Sequence, residues 1–176
     1  MFVLMPPKNL ALKIDDERRT FAEAYKCVKG LKPPVHITLY PPFEKPSEFE
    51  EEIKSLQYWV QQQKSFEVTL KDFNFFKPDT SPIIYINVVL NESLNILHKT
   101  FIGQLRKYIP IAQDNNEFSP HFTIGYRDIP VALFPEIMKE YSARSFSGSF
   151  EVSSIYLWKH DGKKWQILNE FTMGKP

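Results

Sequence analysis

Two short segments of this chain place a histidine and a threonine two residues apart in an apolar run. HITLYPPF carries His36 and Thr38, and HFTIGYRD carries His121 and Thr123. In a β-strand, residues i and i+2 point to the same face about 7 Å apart, so each histidine can address the same ligand as its threonine. In-line displacement at a phosphodiester needs a base, an acid, and donors to the non-bridging oxygens. Two imidazoles and two hydroxyls that converge on one cleft would supply these groups without a metal.

Histidine suits both proton-transfer roles because its ordinary pKa of about 6.5 lets one ring be neutral while another is protonated at the same pH. We therefore expect activity to depend on pH with a bell-shaped profile. Which histidine would be the acid and which the base stays open at this stage.

The other two histidines have weaker claims to chemistry. His98 begins HKT, which has the same spacing, but it lies in a predicted helix, where residues two apart diverge by about 200°. His160 precedes the turn pair Asp161-Gly162 and is interpreted as a residue at the end of a hairpin. We expect neither to take part in catalysis.

The elements that must position these residues fall into two similar series. In the first, an apolar run at 2–5 predicts a strand, which a helix and the His36 strand follow. Four residues from Asp15 onward share one face of that helix, and Gly30 is the expected left-handed cap: Phe21, Ala24, Tyr25 and Val28. Ser47 and Glu50 form a capping-box pattern for a second helix, and the alternation at 66–76 predicts a strand.

The second series repeats this order of elements. Residues 83–89 predict a strand, Asn91 caps a helix that Pro110 ends, and the His121 strand comes next. A short helix is predicted near 134–141, and 150–158 predicts a further strand.

Two landmarks indicate that the two series are an internal duplication. The motif histidines are 121 − 36 = 85 residues apart, and the FEV triplets at 66–68 and 150–152 are 150 − 66 = 84 residues apart. We expect one bilobal domain over 1–176, with repeat halves of about 1–80 and 81–160 and a C-terminal hairpin strand to 172.

Composition excludes several classes of function. The 176 residues contain 22 basic and 21 acidic side chains, so a broad electrostatic grip on duplex nucleic acid is not expected. Cys27 is the single cysteine, which excludes an internal disulfide and a cysteine metal cluster. The first residues lack a signal-peptide pattern, and no apolar stretch approaches the ~20 residues that span a bilayer. We expect a soluble, cytoplasmic protein with no membrane partner.

Two other roles for the histidines compete with catalysis. Each could be a satisfied histidine on a half-buried strand, bonded to its own threonine or to backbone. Recurrence of His36 and His121 at equivalent repeat positions disfavours that role. A metal site is also disfavoured, because neither motif carries Asp, Glu or Cys at ligand spacing, and zinc usually takes at least three protein ligands.

At these residues the chain resembles the two-histidine (2H) phosphoesterase superfamily, which includes 2′-5′ RNA ligase-like proteins and cyclic nucleotide phosphodiesterases. The segments that carry the resemblance are 36–39, 73–76 and 120–124. It implies a bilobal α+β fold of two mainly antiparallel sheets, with helices on the outer faces and a central cleft on a pseudo-two-fold axis.

The same resemblance implies a function. It indicates chemistry without a metal or cofactor on 2′,3′-cyclic phosphates or 2′-5′ linkages of nucleotides or RNA ends. His36 and His121 match the catalytic histidines of the family, and Thr38 and Thr123 match its phosphate-oxygen donors.

Other residues near the predicted cleft are candidates for substrate binding. Four aromatic side chains could stack on a base: Tyr40, Phe43, Phe76 and Tyr126. Tyr40 and Tyr126 are preferred, because each is expected to share the strand face of its motif histidine. Arg127 or Lys45 could attract a phosphate.

Two further functions stay open. The first is a module that binds nucleotides or RNA ends without turning them over, although such a module would be expected to lose a histidine. The second is a metal-dependent hydrolase on a similar scaffold.

Overall fold

The computed structural model describes residues 1–44, 49–76, 82–111 and 118–174. These residues form eight strands, four α-helices and two short 3-10 helices, Lys29–Leu31 and Val131–Leu133. The strands are β1 (Phe2–Leu4), β2 (Ile37–Tyr40), β3 (Phe66–Phe76), β4 (Ile83–Val89), β5 (His121–Gly125), β6 (Ser147–Val152), β7 (Ser154–His160) and β8 (Trp165–Thr172). The helices are α1 (Lys8–Tyr25), α2 (Glu50–Gln61), α3 (Glu92–Leu105) and α4 (Phe134–Ser142).

The strands form two four-stranded sheets, and all their pairings are antiparallel. Sheet I has the order β2-β1-β7-β8, and sheet II has the order β5-β4-β3-β6. The predicted α+β class with two antiparallel sheets is confirmed. Each sheet combines strands from both halves of the sequence, because β3 lies in the sheet of β4 and β5, whereas β7 lies beside β1. Counted from the histidine strand, β7 is the third strand of sheet I and β3 is the third strand of sheet II, so these two strands correspond.

The repeat spacing had suggested that the two FEV triplets occupy corresponding strands of the two halves. The structure shows that they do not. Phe66 pairs with Val152 and Val68 pairs with Phe150, so the two triplets are neighbours in β3 and β6 of one sheet. The predicted strand at 150–158 is also wrong, since it divides between β6 and β7 in different sheets. The burial pattern marks the crossing, because alternation stops where Ser154 and Ile155 are both buried.

Helix α1 differs from its prediction at both ends. It begins at Lys8, well before Asp15, because the carbonyl of Pro7 accepts from the amides of Leu10 and Ala11 at 3.0 and 2.9 Å. It ends at Tyr25, and the left-handed residue is Lys26 (φ 57°). The predicted cap, Gly30, lies in the following 3-10 helix, where an added Cβ would overlap the carbonyl of Ile124 in β5.

The other helix starts were partly predictable. Asn91 caps α3 as expected, because its side chain accepts from the amide of Leu94 at 2.8 Å. Ser47 of the predicted capping box lies outside the described residues, and α2 begins at Glu50 without a side-chain cap on Phe49.

One buried apolar cluster includes residues of both sheets. Helix α3 links them, since it contacts β3 of sheet II while Phe101 packs edge-on against Phe2 of sheet I, with ring centroids 5.1 Å apart. This shared packing keeps the two sheets, and the histidine strands at their edges, in a fixed relation. Among the described residues, no helix combines the length and the apolar character that a membrane crossing requires.

Candidate functional site

The two histidine motifs lie on edge strands that approach each other. β2 is an edge strand of sheet I and β5 is an edge strand of sheet II, and Cα atoms of the two come within 8 Å. Burial alternates along both segments as the sequence predicted: Ile37 and Phe122 are buried, whereas the flanking histidines and threonines are half-buried. The two edges therefore place the motif side chains between the sheets.

Both imidazoles are held by the same hydrogen bond. Nδ1 of His36 donates to the carbonyl of Pro34 at 2.7 Å, and Nδ1 of His121 donates to the carbonyl of Ser119 at 2.8 Å. Since a carbonyl can only accept, Nδ1 carries the proton and Nε2 of the neutral ring carries the lone pair. Each carbonyl lies two residues before its histidine. The matched bonds give both rings the same tautomer and present Nε2 as the atom that can take or give a proton.

Aromatic side chains fix the ring planes in a related way. The His36 ring packs against Trp158 of β7 with centroids 4.9 Å apart, and the His121 ring packs against Phe76 of β3 at 5.2 Å. Each aromatic ring lies two strands away from its histidine within the same sheet. Tyr85 of the intervening strand β4 also packs against His121, at 4.9 Å. Of the predicted cleft aromatics, Phe76 thus contacts a motif histidine directly.

The surroundings favour neutral imidazoles. Burial, together with the charges of Arg18 and His121, lowers the pKa of His36 to about 4, against the opposing effect of the Pro34 carbonyl. Burial also lowers the pKa of His121, with the Ser119 carbonyl opposing. Both rings are therefore neutral near pH 7 before a ligand binds.

Arg18 supports the loop that holds His36. This arginine of α1 is only 3% exposed, and its guanidinium donates to the carbonyls of Gly30 and Pro33, the latter at 2.6 Å. It also pairs with Asp15 at 2.7 Å. The Pro33 carbonyl precedes the carbonyl that accepts from the His36 ring. Arg18 therefore fixes the backbone on which that imidazole rests, and it places a positive charge near the ring.

A cavity of about 790 Å³ lies between the sheets. We call it the cleft; its lining includes His36, Thr38 and Thr123. His121 is outside this lining, and its half-buried ring lies on the strand face of Thr123. Three of the four motif side chains thus face one cavity, and the fourth lies two residues from Thr123 on the same strand face.

The predicted substrate-binding residues take different positions. Tyr126 and Arg127 line the cleft, with the Arg127 guanidinium 5.2 Å from the Tyr126 ring centroid. Tyr126 does not share the strand face of His121, because it is five residues later and β5 ends at Gly125. Tyr40 does lie on the half-buried face of β2, but its ring packs against Phe43 at 5.7 Å, and it is absent from the cleft lining. Lys45 lies outside the described residues.

Phe43 lines a second, smaller pocket beside the cleft, and its ring stacks on Phe2 with centroids 5.7 Å apart. Only its pocket-facing side is therefore available to a ligand.

Sequence reasoning missed the contribution of the β7–β8 hairpin. Five of its residues line the cleft: His160, Gly162, Lys163, Lys164 and Trp165. Lys32 of the loop before β2 joins them. The segment KHDGKKW interleaves basic and aromatic residues, which is a signal for phosphate and base contacts. The predicted turn at Asp161-Gly162 is present, with Gly162 at φ 96°, but its reach to the cleft depends on the sheet order.

Arg18 had a sequence signal as well. It lies four residues after Ile14 and three before Phe21, on the buried face of α1. A charge at an apolar position of an amphipathic helix indicates a buried hydrogen-bonding role.

His98 lies on α3, as predicted, and its ring stacks on Phe118 with centroids 3.7 Å apart. Within the described ranges, no three His, Cys, Asp or Glu side chains are grouped so that they could hold a metal ion.

Known proteins share the sequence pattern and the fold. A family model described as "2'-5' RNA ligase superfamily" matches residues 6–164. A protein of Geobacillus sp. (strain WCH70) that bears the name of a phosphoesterase is 28% identical over 166 residues, covering 92% of this chain and 91% of its own.

Two solved structures have the same fold at low sequence identity. Escherichia coli LigT, crystallised with 3'-AMP, superposes with a TM-score of 0.69 at 17% identity, covering 98% of this chain and 95% of its own. The protein TT0787 of Thermus thermophilus superposes with a TM-score of 0.65 at 19% identity, covering 97% of this chain and 95% of its own.

Proposed function

Because the chain belongs to the 2′-5′ RNA ligase superfamily, we propose that it is a metal-independent phosphoesterase acting on 2′,3′-cyclic phosphate or 2′-5′ bonds of nucleotides or RNA ends. The observation that carries this proposal is the matched pair of Nδ1 hydrogen bonds on His36 and His121. These bonds leave Nε2 of each ring, on two strands that approach each other, able to exchange a proton. The complex of LigT with 3'-AMP supports a nucleotide as the ligand class. No step requires a cofactor.

In hydrolysis, one histidine takes the proton of the attacking water while its oxygen bonds to phosphorus. The bond from phosphorus to the ribose oxygen breaks, and the other histidine gives that oxygen a proton. Thr38 and Thr123 donate hydrogen bonds to the non-bridging oxygens, whose charge grows in the transition state. Each turnover leaves the histidines with exchanged protonation states, which solvent resets.

We assign the base to His36 and the acid to His121. Arg18 opposes protonation of His36, and no cation acts in this way among the causes that lower the pKa of His121. A bound phosphate anion favours the protonated form of an imidazole, and at His121 no arginine charge opposes this effect. Accordingly, His36→Ala should remove the acidic limb of the pH profile of kcat/KM, and His121→Ala the alkaline limb. The reverse pattern would exchange the two roles.

Phosphorus NMR on a panel of 2′,3′-cyclic nucleotides and of 2′-5′ and 3′-5′ dinucleotides tests the proposal, because it reports which ester is cleaved. We expect His36→Ala and His121→Ala each to lower kcat by about 100- to 10,000-fold with little loss of stability. His98→Ala is the matched control, since it alters the same three-letter pattern on helix α3 and should leave kcat unchanged.

Unchanged turnover in both cleft variants would contradict the assignment. Tight binding of a cyclic nucleotide without any product would favour the non-catalytic binding module. Loss of turnover with a strong chelator, restored by added metal, would favour a metal-dependent hydrolase.

A further inference from the structure

A second pocket opens beside the cleft and has no part in the mechanism above. We call it the side pocket; its volume is about 380 Å³, and its walls include Phe43, Trp158, His160, Trp165 and Leu168. His160 and Trp165 also line the cleft, so the two cavities share a wall. A molecule held at the histidines can therefore extend into the side pocket past the β7–β8 hairpin.

The walls of the side pocket are suited to a flat ring. The Trp165 and His160 rings meet edge to face with centroids 4.9 Å apart, and Trp158 lies 6.2 Å from Trp165 behind them. Trp165 is half-buried and His160 is exposed, so both offer ring surface to a ligand. Aromatic surfaces of this kind stack on nucleobases with little dependence on base identity.

Charge around the shared wall indicates what is attached to the flat ring. Lys163 and Lys164, at the turn of the same hairpin, line the cleft side, and Lys32 belongs to the same lining. On the side-pocket face, Lys159 joins the lining. A ligand that spans the two cavities should therefore combine a flat, weakly polar ring with an anionic link. A nucleoside attached through a phosphodiester has both features.

The position of Trp158 indicates how a bound substrate can extend from the cleft into the side pocket. The Trp158 ring packs against His36 and also lines the side pocket, so the pocket lies next to the proposed base. A nucleoside that bears the reacting phosphate occupies the cleft. A second nucleoside joined to it can reach the side pocket, whereas a cyclic mononucleotide leaves it unfilled.

We propose that the side pocket holds the base of a second nucleoside, so that the preferred substrate carries at least two nucleosides. This inference rests on the proposed function and narrows its substrate class. A 2′-5′ dinucleotide and an RNA end with a 2′,3′-cyclic phosphate share this chemistry. Trp165 is the specificity-determining residue, because it lies on the wall between the two cavities.

The test compares kcat/KM for three substrates: a 2′,3′-cyclic mononucleotide, a dinucleotide ending in a 2′,3′-cyclic phosphate, and a 2′-5′ dinucleotide. The wild type should prefer at least one two-nucleoside substrate over the mononucleotide. Trp165→Ala should reduce that preference about 5- to 150-fold, the range expected for loss of one stacking contact. Trp165→Phe should restore most of it. The substrate whose preference falls identifies which kind of second nucleoside the pocket accepts.

Two more variants make the result specific to the side pocket. Leu168 is 44% exposed and lines the side pocket but not the cleft, so Leu168→Trp should fill the pocket and reduce the preference without a cost in folding. Tyr58→Ala removes an aromatic ring that is 70% exposed on α2 and outside both linings, and it should leave the preference unchanged. Equal losses on all substrates, or a wild type that does not distinguish them, would overturn the proposal.

Failure of the proposed function can be separated from failure of this inference by a binding measurement. Calorimetric titration of His121→Ala with the mononucleotide and with the dinucleotides reports affinity without turnover. Tighter binding of a dinucleotide that Trp165→Ala abolishes would support the side pocket even if the wild type cleaves none of the substrates. Equal affinities for the mononucleotide and both dinucleotides would refute it whether or not the enzyme is active.

Discussion

Replacement of Arg18 by methionine should both destabilise the protein and change the chemistry of His36. Methionine keeps most of the length and apolar volume of arginine but cannot donate to the carbonyls of Gly30 and Pro33 or pair with Asp15. Because the side chain is 3% exposed, water has little access to replace these bonds. The loop before β2 would therefore lose the hydrogen bonds that tie it to helix α1.

The expected loss follows from the unpaired groups. A buried acceptor left without a donor costs about 1 to 3 kcal/mol. Asp15 is 34% exposed, so water can solvate its carboxylate and loss of the ion pair adds only about 0 to 1 kcal/mol. We expect the free energy of unfolding to fall by about 2 to 4 kcal/mol, mainly through the carbonyls of Gly30 and Pro33. Removal of the arginine charge should also raise the pKa of His36, because that charge opposes protonation of the ring.

Urea unfolding measures the first effect, and NMR titration of the histidine Cε1 protons measures the second. Arg19→Met is the matched control: Arg19 makes the same i, i+3 pair, with Asp16 at 2.8 Å, but is 54% exposed, so its loss should cost about 0 to 1 kcal/mol. The His121 titration is an internal reference, since no effect of Arg18 contributes to it. A loss of stability below about 1 kcal/mol for Arg18→Met, or an unmoved His36 pKa, would refute the role of Arg18.

Three further outcomes are expected. As pH falls from about 6.5 to about 4, the free energy of unfolding should drop by up to about 3 kcal/mol, because the His36 ring takes up a proton at higher pH in the unfolded chain than in the folded one. In urea melts over this pH range, His36→Gln should remove that dependence on pH. Gly30→Ala should lower the urea midpoint by an amount equivalent to about 1 to 3 kcal/mol, since its Cβ meets the backbone of Ile124, which cannot move aside cheaply; an unchanged midpoint would show that the contact relaxes. Asn91→Ala should cost about 1 kcal/mol through loss of the α3 cap, whereas Asn91→Asp should retain most of it in the same melts.

Features with a local signal were predictable from the sequence. The strand alternation around His36 and His121, the cap at Asn91 and the turn at Gly162 each depend on residues a few positions apart. The proximity of the two motif strands depended on the inferred repeat. The two strands do approach each other in the structure, because each lies at the edge of its sheet.

Features that depend on sheet order were beyond sequence reasoning. Alternation alone could not show that the chain leaves sheet II after Val152 and enters sheet I at Ser154. The contact of Trp158 with His36 and the place of Trp165 in the cleft follow from that crossing. The support that Arg18 gives to Pro33 depends on how α1 packs against the next loop, which no spacing rule specifies.

The exchange of strands between the two sheets makes the halves of the chain mutually dependent. His36 rests on Trp158 from the second half, and His121 rests on Phe76 from the first. A polypeptide ending after β3 would carry His36 without Trp158, and the complementary piece would carry His121 with Tyr85 but without Phe76. Both contacts join one fragment to the other, so association of the two fragments would restore the His36–Trp158 and His121–Phe76 contacts together.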